Sequence, residues 1–359
     1  MLYEGDICMK IRVVVCLKND KHIQRIMEYY ENHYEKLEHF DLHMFSEYDL
    51  TKEYIQTHNL DIFLLDIKAK CEEPVKGKFL FAYLSEEKSL DMYEGEKAIC
   101  KYQKAETLFQ ELFSSFAESL ENKQYKFSSD SAKIYLFQNA GGGSGCTTVA
   151  MACAFAFAEQ KKKVLYLNLE QTATLDEVFT SEGNSDFGDV IYAVKSDSDN
   201  QVVKILSCIT QDKSGVFFIK PCRNILDREE ITEEDMSLLI SILRDSCDFE
   251  AIIIDKEFSL HRQNLEIMEL ADSITFVLEA KETCQKKFNQ IADALLILEE
   301  QTDINFTDKT AVIFNKYNES QNIILNPGWK IKGGFPEYEH IGKRQIVQYI
   351  SKMKAMKSL

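Results

Sequence analysis

The sequence predicts a two-domain α/β protein whose sheets are mainly parallel. Short apolar runs rich in Val, Ile and Phe recur along the chain without polar alternation, which is typical of strands covered on both faces by helices. Segments with helical periodicity lie between many of these runs, as expected for open α/β domains. The length of 359 residues exceeds the usual domain size of roughly 100 to 200 residues, so two separate cores are expected.

The predicted elements also set the domain boundaries. A polar segment at 121–131 separates a complete helical pattern from a fresh strand, so we predict a first domain at 1–122, a linker at 123–131 and a second domain at 132–359. Residues 196–200 are predicted to form a surface loop. The predicted strands are Ile11–Leu17, Ile62–Ile67, Phe79–Leu84, Ile134–Phe137, Val164–Leu169, Val216–Ile219, Ala251–Ile254, Ile274–Leu278 and Ala311–Phe314. The predicted helices include His22–Leu37, Leu108–Leu120, Val149–Gln160, Asp235–Arg244 and Phe288–Glu300.

Composition and charge narrow the function classes. Hydrophobic residues make up 45% of the chain and charged residues 28%, as in compact globular proteins. The formal net charge of −17 opposes non-specific DNA binding, because such binding needs Lys and Arg to displace counterions from phosphates. The ten cysteines form no Cys-x-x-Cys pair, and no apolar run approaches the ~18 residues that span a bilayer. We therefore expect a cytoplasmic protein with reduced, buried thiols and no nucleic-acid partner.

A glycine-rich loop stands between the strand that starts at Lys133 and the helix predicted at Val149–Gln160. In that order, backbone N–H groups and a helix N-terminus converge on phosphate oxygens. Glycine lets the chain adopt positive φ and pass close to the anion, and Thr147 stands where such loops bind Mg²⁺. A glycine turn without a ligand is the alternative. The candidate nucleotide-binding residues of the loop are Gly141, Gly142, Gly143, Ser144, Gly145, Cys146, Thr147 and Thr148.

The loop resembles the deviant Walker A motif of MinD/ParA-family ATPases, whose pattern is Lys-Gly-Gly-x-Gly-Lys-Thr-Thr. The resemblance implies a P-loop NTPase domain that binds ATP and Mg²⁺. Gly141 stands at the position of the motif's signature lysine, which in the family reaches the phosphates of a dimer partner. Cys146 stands at the position of the ordinary P-loop lysine. Because a thiol cannot neutralise phosphate charge, we expect slow or absent hydrolysis. Lys256 and Lys316 remain open as replacements for the lost cation.

Three later segments extend this resemblance. Asn168 and Glu170 occupy the family's Asp-x-Asp motif, which leaves Glu170 as a candidate for positioning water or Mg²⁺, or else as a surface residue. Asp255 ends an apolar strand like a Walker B motif and would bind Mg²⁺ through water. Asn315 resembles the asparagine that reads adenine, since its amide offers a donor beside an acceptor, or it is a strand-end turn residue. Pro336 resembles the proline whose region lines the base.

The N-terminal domain resembles a response-regulator receiver domain, which has a flavodoxin-like fold. Asp66 falls at the phosphoacceptor position, and Ser85 and Lys104 fall at two other functional positions of receivers. Leu17 and Lys18 replace the acid pair that should bind Mg²⁺, so phosphotransfer to Asp66 would lack its electrophilic catalyst. We therefore expect a degenerate receiver that serves docking or dimer formation.

An atypical receiver ahead of a MinD/ParA-like domain resembles the arrangement of the TadZ/CpaE family, which positions the machinery of tight-adherence (Tad) pili. The resemblance implies an ATP-gated homodimer that localises pilus assembly proteins, at a pole or at the membrane through its partners. A ParA/MinD-type partitioning or septum-positioning ATPase is the main alternative; a response regulator and an iron-protein relative are further ones. The basic helix predicted at Lys343–Leu359 either contacts a membrane or packs on the sheet.

Overall fold

The computed structural model describes residues 10–18, 20–32, 40–69, 71, 73–119, 131–181, 185–196, 201–301, 304–318 and 320–357. These residues form two compact units, one mainly from the N-terminal third of the chain and one from the remainder. Most of the predicted linker, residues 123–130, lies outside the described residues, as do residues 197–200 of the predicted loop. The predicted α/β class with mainly parallel sheets is confirmed.

The N-terminal unit is built on a six-stranded sheet. Its strands are β1 (Ile11–Cys16), β2 (Phe40–Phe45), β3 (Ile62–Asp66), β4 (Leu80–Ser85), β5 (Met92–Tyr93) and β6 (Glu96–Cys100). Its helices are α1 (Asp20–Asn32), α2 (Tyr48–Thr57) and α3 (Ala105–Ser119). The strand order is β2-β1-β3-β4-β6-β5, in which β5 pairs antiparallel with β6 and the other pairs are parallel. The strands β1, β3 and β4 are almost wholly buried, as their apolar runs predict.

Three strands of this sheet escape prediction from sequence: β2, β6 and the two-residue strand β5. In β2, Asp41 and His43 interrupt the apolar pattern, which an edge strand tolerates because only β1 pairs with it. In β6 only Ala98 and Ile99 are buried. None of these strands carries a long apolar run, so pairing with a neighbour decides the structure of each.

The second unit is built on an eight-stranded sheet. Its strands are β7 (Lys133–Asn139), β8 (Val164–Asn168), β9 (Thr210–Gln211), β10 (Phe217–Phe218), β11 (Ala251–Asp255), β12 (Ser273–Glu279), β13 (Thr310–Asn315) and β14 (Lys330–Gly334). Its helices are α4 (Cys146–Glu159), α5 (Phe187–Lys195), α7 (Glu233–Asp245), α8 (Arg262–Leu270), α9 (Glu282–Gln301), α10 (Lys343–Ser351) and α11 (Lys354–Lys357), with a 3₁₀ helix at Ile225–Glu230. One further helix, α6 (Gln201–Ser207), belongs to the N-terminal unit, where it packs on α3.

The strand order of the second sheet is β14-β13-β12-β7-β11-β8-β10-β9, and only the β9–β10 pair is antiparallel among the described strands. Register places Asp255 beside Phe137 of β7 on one side and beside Asn168 of β8 on the other. Because these strands are parallel, their carboxyl ends meet at one edge of the sheet. The helix α4, which begins at that edge, is buried along nearly its whole length. A site at this edge of the sheet would therefore lie next to a helix that is almost completely buried.

The C-terminal segment differs from the prediction of one helix at Lys343–Leu359, which is wrong. The helix α10 ends at Ser351 and the short α11 follows a turn. Val347, Ile350 and Met356 are buried in the same core as α4. Packing against α4 explains the interruption, because one straight helix cannot keep these three side chains on a single buried surface.

An ion pair fixes the start of α10 to the unit. Arg344 Nη2 and Nη1 donate to Asp212 Oδ2 and Oδ1 at 2.9 and 3.2 Å. Despite its burial, these bonds lower the pKa of Asp212 far below its ordinary value. The apolar face of α10 is therefore occupied, as the packed alternative predicted. Within the described ranges, no helix has the length and apolar character needed to cross a membrane.

Candidate functional site

The glycine-rich loop connects β7 to α4 at the carboxyl edge of the second sheet. Gly143 and Gly145 have φ of 85° and 79°, in the left-handed region that favours glycine. A Cβ on Gly145 would also collide with the amide of Asn315. Both backbone angle and space therefore require glycine at position 145.

The N-terminus of α4 is open. The helix begins at Cys146 behind the N-cap residue Gly145, and no side chain caps its first turn. A Cβ on Gly142 or Gly143 would meet no atom within 4 Å, so free space lies beside the loop. Ser144 Oγ is buried without a hydrogen-bond partner among the described residues. Helix N–H groups that no side chain caps, with free space beside the loop, suit phosphate oxygens.

Asp255, at the end of β11, is fully buried and hydrogen-bonded on one side only. Its Oδ2 accepts hydrogen bonds from Tyr166 Oη at 2.7 Å and from Asn168 Nδ2 at 3.0 Å. Its Oδ1 has no hydrogen-bond partner within the described part of the chain. Burial raises the pKa of Asp255. A buried carboxylate with one oxygen left open fits a hard cation such as Mg²⁺.

Tyr166 is a site residue that sequence reasoning missed. In the strand Val-Leu-Tyr-Leu-Asn it is the one aromatic residue, and the other residues before Asn168 are aliphatic. This isolated tyrosine was the feature of the sequence that could have indicated a site residue. Asn168, at the position of an acid in the resembled motif, donates its amide to Asp255, whereas a carboxylate there would repel it. The altered motif therefore positions Asp255 instead of competing with it.

Thr147 and Glu170 meet beside Asp255. Thr147 Oγ1 donates to Glu170 Oε2 at 3.4 Å, and Glu170 N donates to Asn168 Oδ1 at 3.1 Å. Burial, and then the charges of Asp255 and Glu257, raises the pKa of Glu170 to about 7. The structure thus brings together the three side chains predicted at the metal and catalytic positions, and Glu170 is not a detached surface residue.

Asn315 and Pro336 have different surroundings. Asn315 is 6% exposed, and its Nδ2 donates to the carbonyl of Ser144 at 2.9 Å. The asparagine therefore holds the loop from the end of β13, while Pro336 is exposed just after the buried Phe335. The adenine-binding roles of Asn315 and Pro336 stay predictions.

No cation comes from the loop itself, and two lysines approach it from elsewhere. Cys146 is buried, and burial raises its pKa well above the ordinary value, so the thiol is neutral. Lys316 Nζ donates to the carbonyl of Gly143 at 3.0 Å and pairs with Glu279 at 2.7 Å. A Cβ on Gly141 would lie 3.4 Å from Nζ of Lys287, a residue that sequence reasoning missed.

Lys256, the other lysine left open by the sequence, follows Asp255 directly. Its N–H donates to the carbonyl of Phe137 at 3.1 Å. Burial, and then the charge of Arg228, lowers the pKa of Lys256 to about 8. Its ammonium therefore lies in a region that already carries positive charge.

The receiver-like unit places Asp66 at the end of β3, where it is 1% exposed. Lys101 Nζ donates to Asp66 Oδ1 and Oδ2 at 3.0 and 2.8 Å. The N–H groups of Lys68 and Lys18 donate to the same carboxylate at 3.0 and 3.4 Å. The carboxylate is therefore neutralised by the protein itself.

The expectation that Lys104 holds the receiver lysine position is wrong. Lys104 is exposed, whereas Lys101 is 1% exposed and follows β6 directly. The sequence signal for Lys101 was weak because β6 has so short an apolar run. Ser85 is buried, and its Oγ donates to the carbonyl of Glu87 at 2.8 Å.

Comparison with known proteins gives a family match for the receiver-like unit and a similarity of fold to solved structures. Residues 9–117 match the family described as a TadZ-like receiver domain. No curated protein has a sequence that matches the chain.

Solved structures resemble the chain at low sequence identity. A ParA family ATPase from Chlorobium tepidum is 18% identical, with 64% of this chain and 96% of that chain covered and a TM-score of 0.51. The septum site-determining protein MinD from Pyrococcus horikoshii, complexed with Mg-ADP, is 17% identical over 63% of this chain and 92% of its own, with a TM-score of 0.47. A putative plasmid partition protein from Borrelia burgdorferi bound to AMPPNP is 16% identical over 63% of this chain and 95% of its own, with a TM-score of 0.45.

The ParA family ATPase establishes a shared fold and, at 18% identity, no more than the fold. The family match is independent of this similarity, because it covers the receiver-like unit alone. The chain therefore combines a unit that matches a TadZ-like receiver domain with an α/β fold similar to that of a ParA family ATPase.

Proposed function

We propose that the chain is an ATP-gated homodimer that localises Tad pilus assembly proteins and hydrolyses ATP slowly or not at all. The observation that best supports a nucleotide site is that Asp255 Oδ1 has no hydrogen-bond partner among the described residues and lies near Thr147 and the uncapped N-terminus of α4. The proposed metal ligand and the proposed phosphate-binding loop lie at the same edge of the sheet, which supports binding of Mg-ATP there.

Different residues of the chain would bind the phosphates and the metal ion. The N–H groups of the glycine-rich loop would hold the phosphates, while Thr147 and Asp255 would hold Mg²⁺. Bound Mg²⁺ supplies the positive charge that neutralises the phosphate oxygens. Asn315 keeps the loop in place through Ser144, and we keep Asn315 and Pro336 as the proposed adenine contacts.

Two lysines from outside the loop would replace the lost cations. Nζ of Lys287 stands beside the position of the missing signature lysine, and Nζ of Lys316 is bound to the loop carbonyl of Gly143. Both contribute to ground-state binding. Slow hydrolysis follows because Lys316 is already paired with Glu279 and because the loop offers a neutral thiol where a cation stabilises the transition state.

The dimer and the pilus partner rest on the resemblance to the TadZ/CpaE family. The receiver-like unit contributes a surface rather than a reaction, since its central carboxylate is already neutralised by Lys101. Nucleotide would then act mainly as a structural ligand that joins two copies.

The test combines solution mass with nucleotide binding. Light scattering on the full chain with and without Mg-ATP should give a dimer only with nucleotide, with little phosphate released in the same tube. Thr147→Ala should weaken Mg-ATP binding about 100-fold and abolish the dimer, whereas Thr147→Ser keeps the hydroxyl and should bind normally. If Thr147→Ala binds Mg-ATP as tightly as the wild type, the proposed binding site is wrong. If the solution mass is the same with and without nucleotide, ATP does not control dimer formation.

A matched pair of variants tests the replacement cation. Lys287→Met should weaken ATP binding about tenfold, because a charge-assisted contact to phosphate is lost. Lys286→Met is the control, since its ammonium pairs with Glu282 on the same helix. Equal affinity in the two variants would show that Lys287 does not serve the nucleotide.

A further inference from the structure

A cavity of about 370 Å³ lies in the second unit between the loop after β8 and the segment after β10. Asn168 and Glu170 form one side of it, where it adjoins the candidate metal site. Arg223 and Arg228 form the other side, and the hydroxyl of Thr172 also lines it. The cavity therefore has polar side chains on both sides and lies beside the proposed phosphate-binding site.

The charge of the cavity is unusual for this protein. Among its described lining residues, two are arginines and Glu170 is the one acid, although the chain has a formal net charge of −17. Cys222 adds no negative charge, because burial raises the pKa of its thiol. The lining side chains of the cavity thus carry more positive than negative charge, in contrast to the chain as a whole.

Arg228 is the centre of this excess. Its guanidinium stacks 4.8 Å from the ring of Phe187, and no carboxylate among the described residues lies within ion-pair distance of it. Lys256 is close enough for the two positive charges to repel each other. Arg223 differs, since its Nε pairs with Asp186 at 3.2 Å. A half-buried guanidinium that forms no ion pair among the described residues, held beside a second cation, is costly unless an anion joins it, since the charge of Glu229 acts on it only from beyond ion-pair distance.

The side chains fix the class of anion. A guanidinium presents parallel N–H groups that match two oxygens of a phosphate, and the contact with the Phe187 ring limits the positions that the Arg228 side chain can take. Thr172, Thr174 and Gln171 add hydroxyl and amide donors to the same cavity.

We infer that this cavity binds a phosphate-class anion through Arg228, with Arg223 in support. The anion is either the terminal phosphate of a nucleotide in the adjacent loop or a free phosphate; only the first source rests on the proposed nucleotide site. The carboxylate of Glu170 lies on the opposite wall and limits how closely the anion approaches the metal site.

Calorimetric titration of the full nucleotide-free chain with inorganic phosphate tests the inference. Arg228→Met should weaken phosphate binding at least tenfold, and Arg228→Lys should fall between, because it keeps the charge and loses the paired N–H groups. Arg262→Met is the matched control, since Arg262 is an exposed arginine that pairs with Glu266. If the wild type does not bind phosphate, or if Arg228→Met and Arg262→Met bind it equally, the inference is overturned.

Competition between inorganic phosphate and nucleotides shows whether the cavity binds the terminal phosphate of a nucleotide or free phosphate. Displacement of phosphate by a non-hydrolysable ATP analogue but not by ADP assigns the cavity to the terminal phosphate, and retention with both assigns it to free phosphate. Displacement by ADP as well would place the phosphate in the glycine-rich loop and overturn the inference. A chain that binds phosphate through Arg228 but binds no nucleotide would refute the proposed function and leave this site standing.

Discussion

Asp66 and Asp255 make an informative pair, because each is a buried aspartate at the carboxyl end of a parallel strand, and their surroundings are opposite. Asp66 accepts two bonds from the ammonium of Lys101 and further bonds from backbone N–H groups. Asp255 accepts only neutral donors on Oδ2, and its Oδ1 is left open.

The difference separates a completed site from one prepared for a ligand. A buried charge paired with an opposite charge and fully hydrogen-bonded needs nothing more from solution. A buried carboxylate with an unpaired oxygen lowers the stability of the free protein and gains it back when a cation binds. By this criterion the proposed nucleotide site is prepared for a ligand, whereas the carboxylate of the receiver-like unit already has its partners.

The same Asp→Asn change should therefore have opposite effects in the two places, and the larger is at Asp66. Asp66→Asn leaves the ammonium of Lys101 buried without its partner, which costs about 3 kcal/mol. Hydrogen exchange followed by mass spectrometry should show peptides from β3 and β6 exchanging much faster. The double variant Asp66→Asn with Lys101→Met should recover much of the loss, and a double variant as unstable as the single one would contradict the pairing.

Asp255→Asn should stabilise the nucleotide-free protein by about 2 kcal/mol, because it removes a buried charge that has no cation. Trp329 is the single tryptophan of the chain and packs edge-on against Phe288 in the same unit, so its fluorescence in urea reports this transition. Mg²⁺-dependent ATP binding should be lost at the same time. A less stable Asp255→Asn protein would mean that Asp255 is structural like Asp66.

Glu170 should make stability depend on pH. Its pKa is raised from 4.5 to about 7 in the folded protein, so between those values the unfolded chain has released a proton that the folded chain keeps. Stability is therefore highest below about pH 4.5 with respect to this group, and it falls as pH rises towards 7, by on the order of 1 kcal/mol after solvent screening. Unfolding of Glu170→Gln should be less dependent on pH than that of the exposed control Glu159→Gln; equal slopes would count against the environment described for Glu170.

The smallest effect is expected at Lys104. Its side chain is exposed, so Lys104→Met should change the free energy of unfolding by less than about 0.5 kcal/mol. Exchange of the β3 peptides should equal that of the wild type. Faster exchange there would restore Lys104 as a partner of the Asp66 site and weaken the comparison.

The fold class and the composition of the glycine-rich loop could be predicted from the amino-acid sequence alone. Uninterrupted apolar runs favour strands buried on both faces, and in the loop Gly141–Thr148 the positive φ of Gly143 and Gly145 gives a local physical reason for glycine. Asp255 was predictable for the same reason, since it ends such a strand.

The side chains that complete each site could not be predicted in this way, because they are distant in sequence from the residues that they contact. Lys101 is 35 residues from Asp66, and Tyr166 is 89 residues from Asp255. Lys287 approaches Gly141 from another helix, a meeting that no local pattern encodes. Charge balance inside a protein is set by packing between elements, so the sequence named the carboxylates, and only the fold determined which of them was already neutralised.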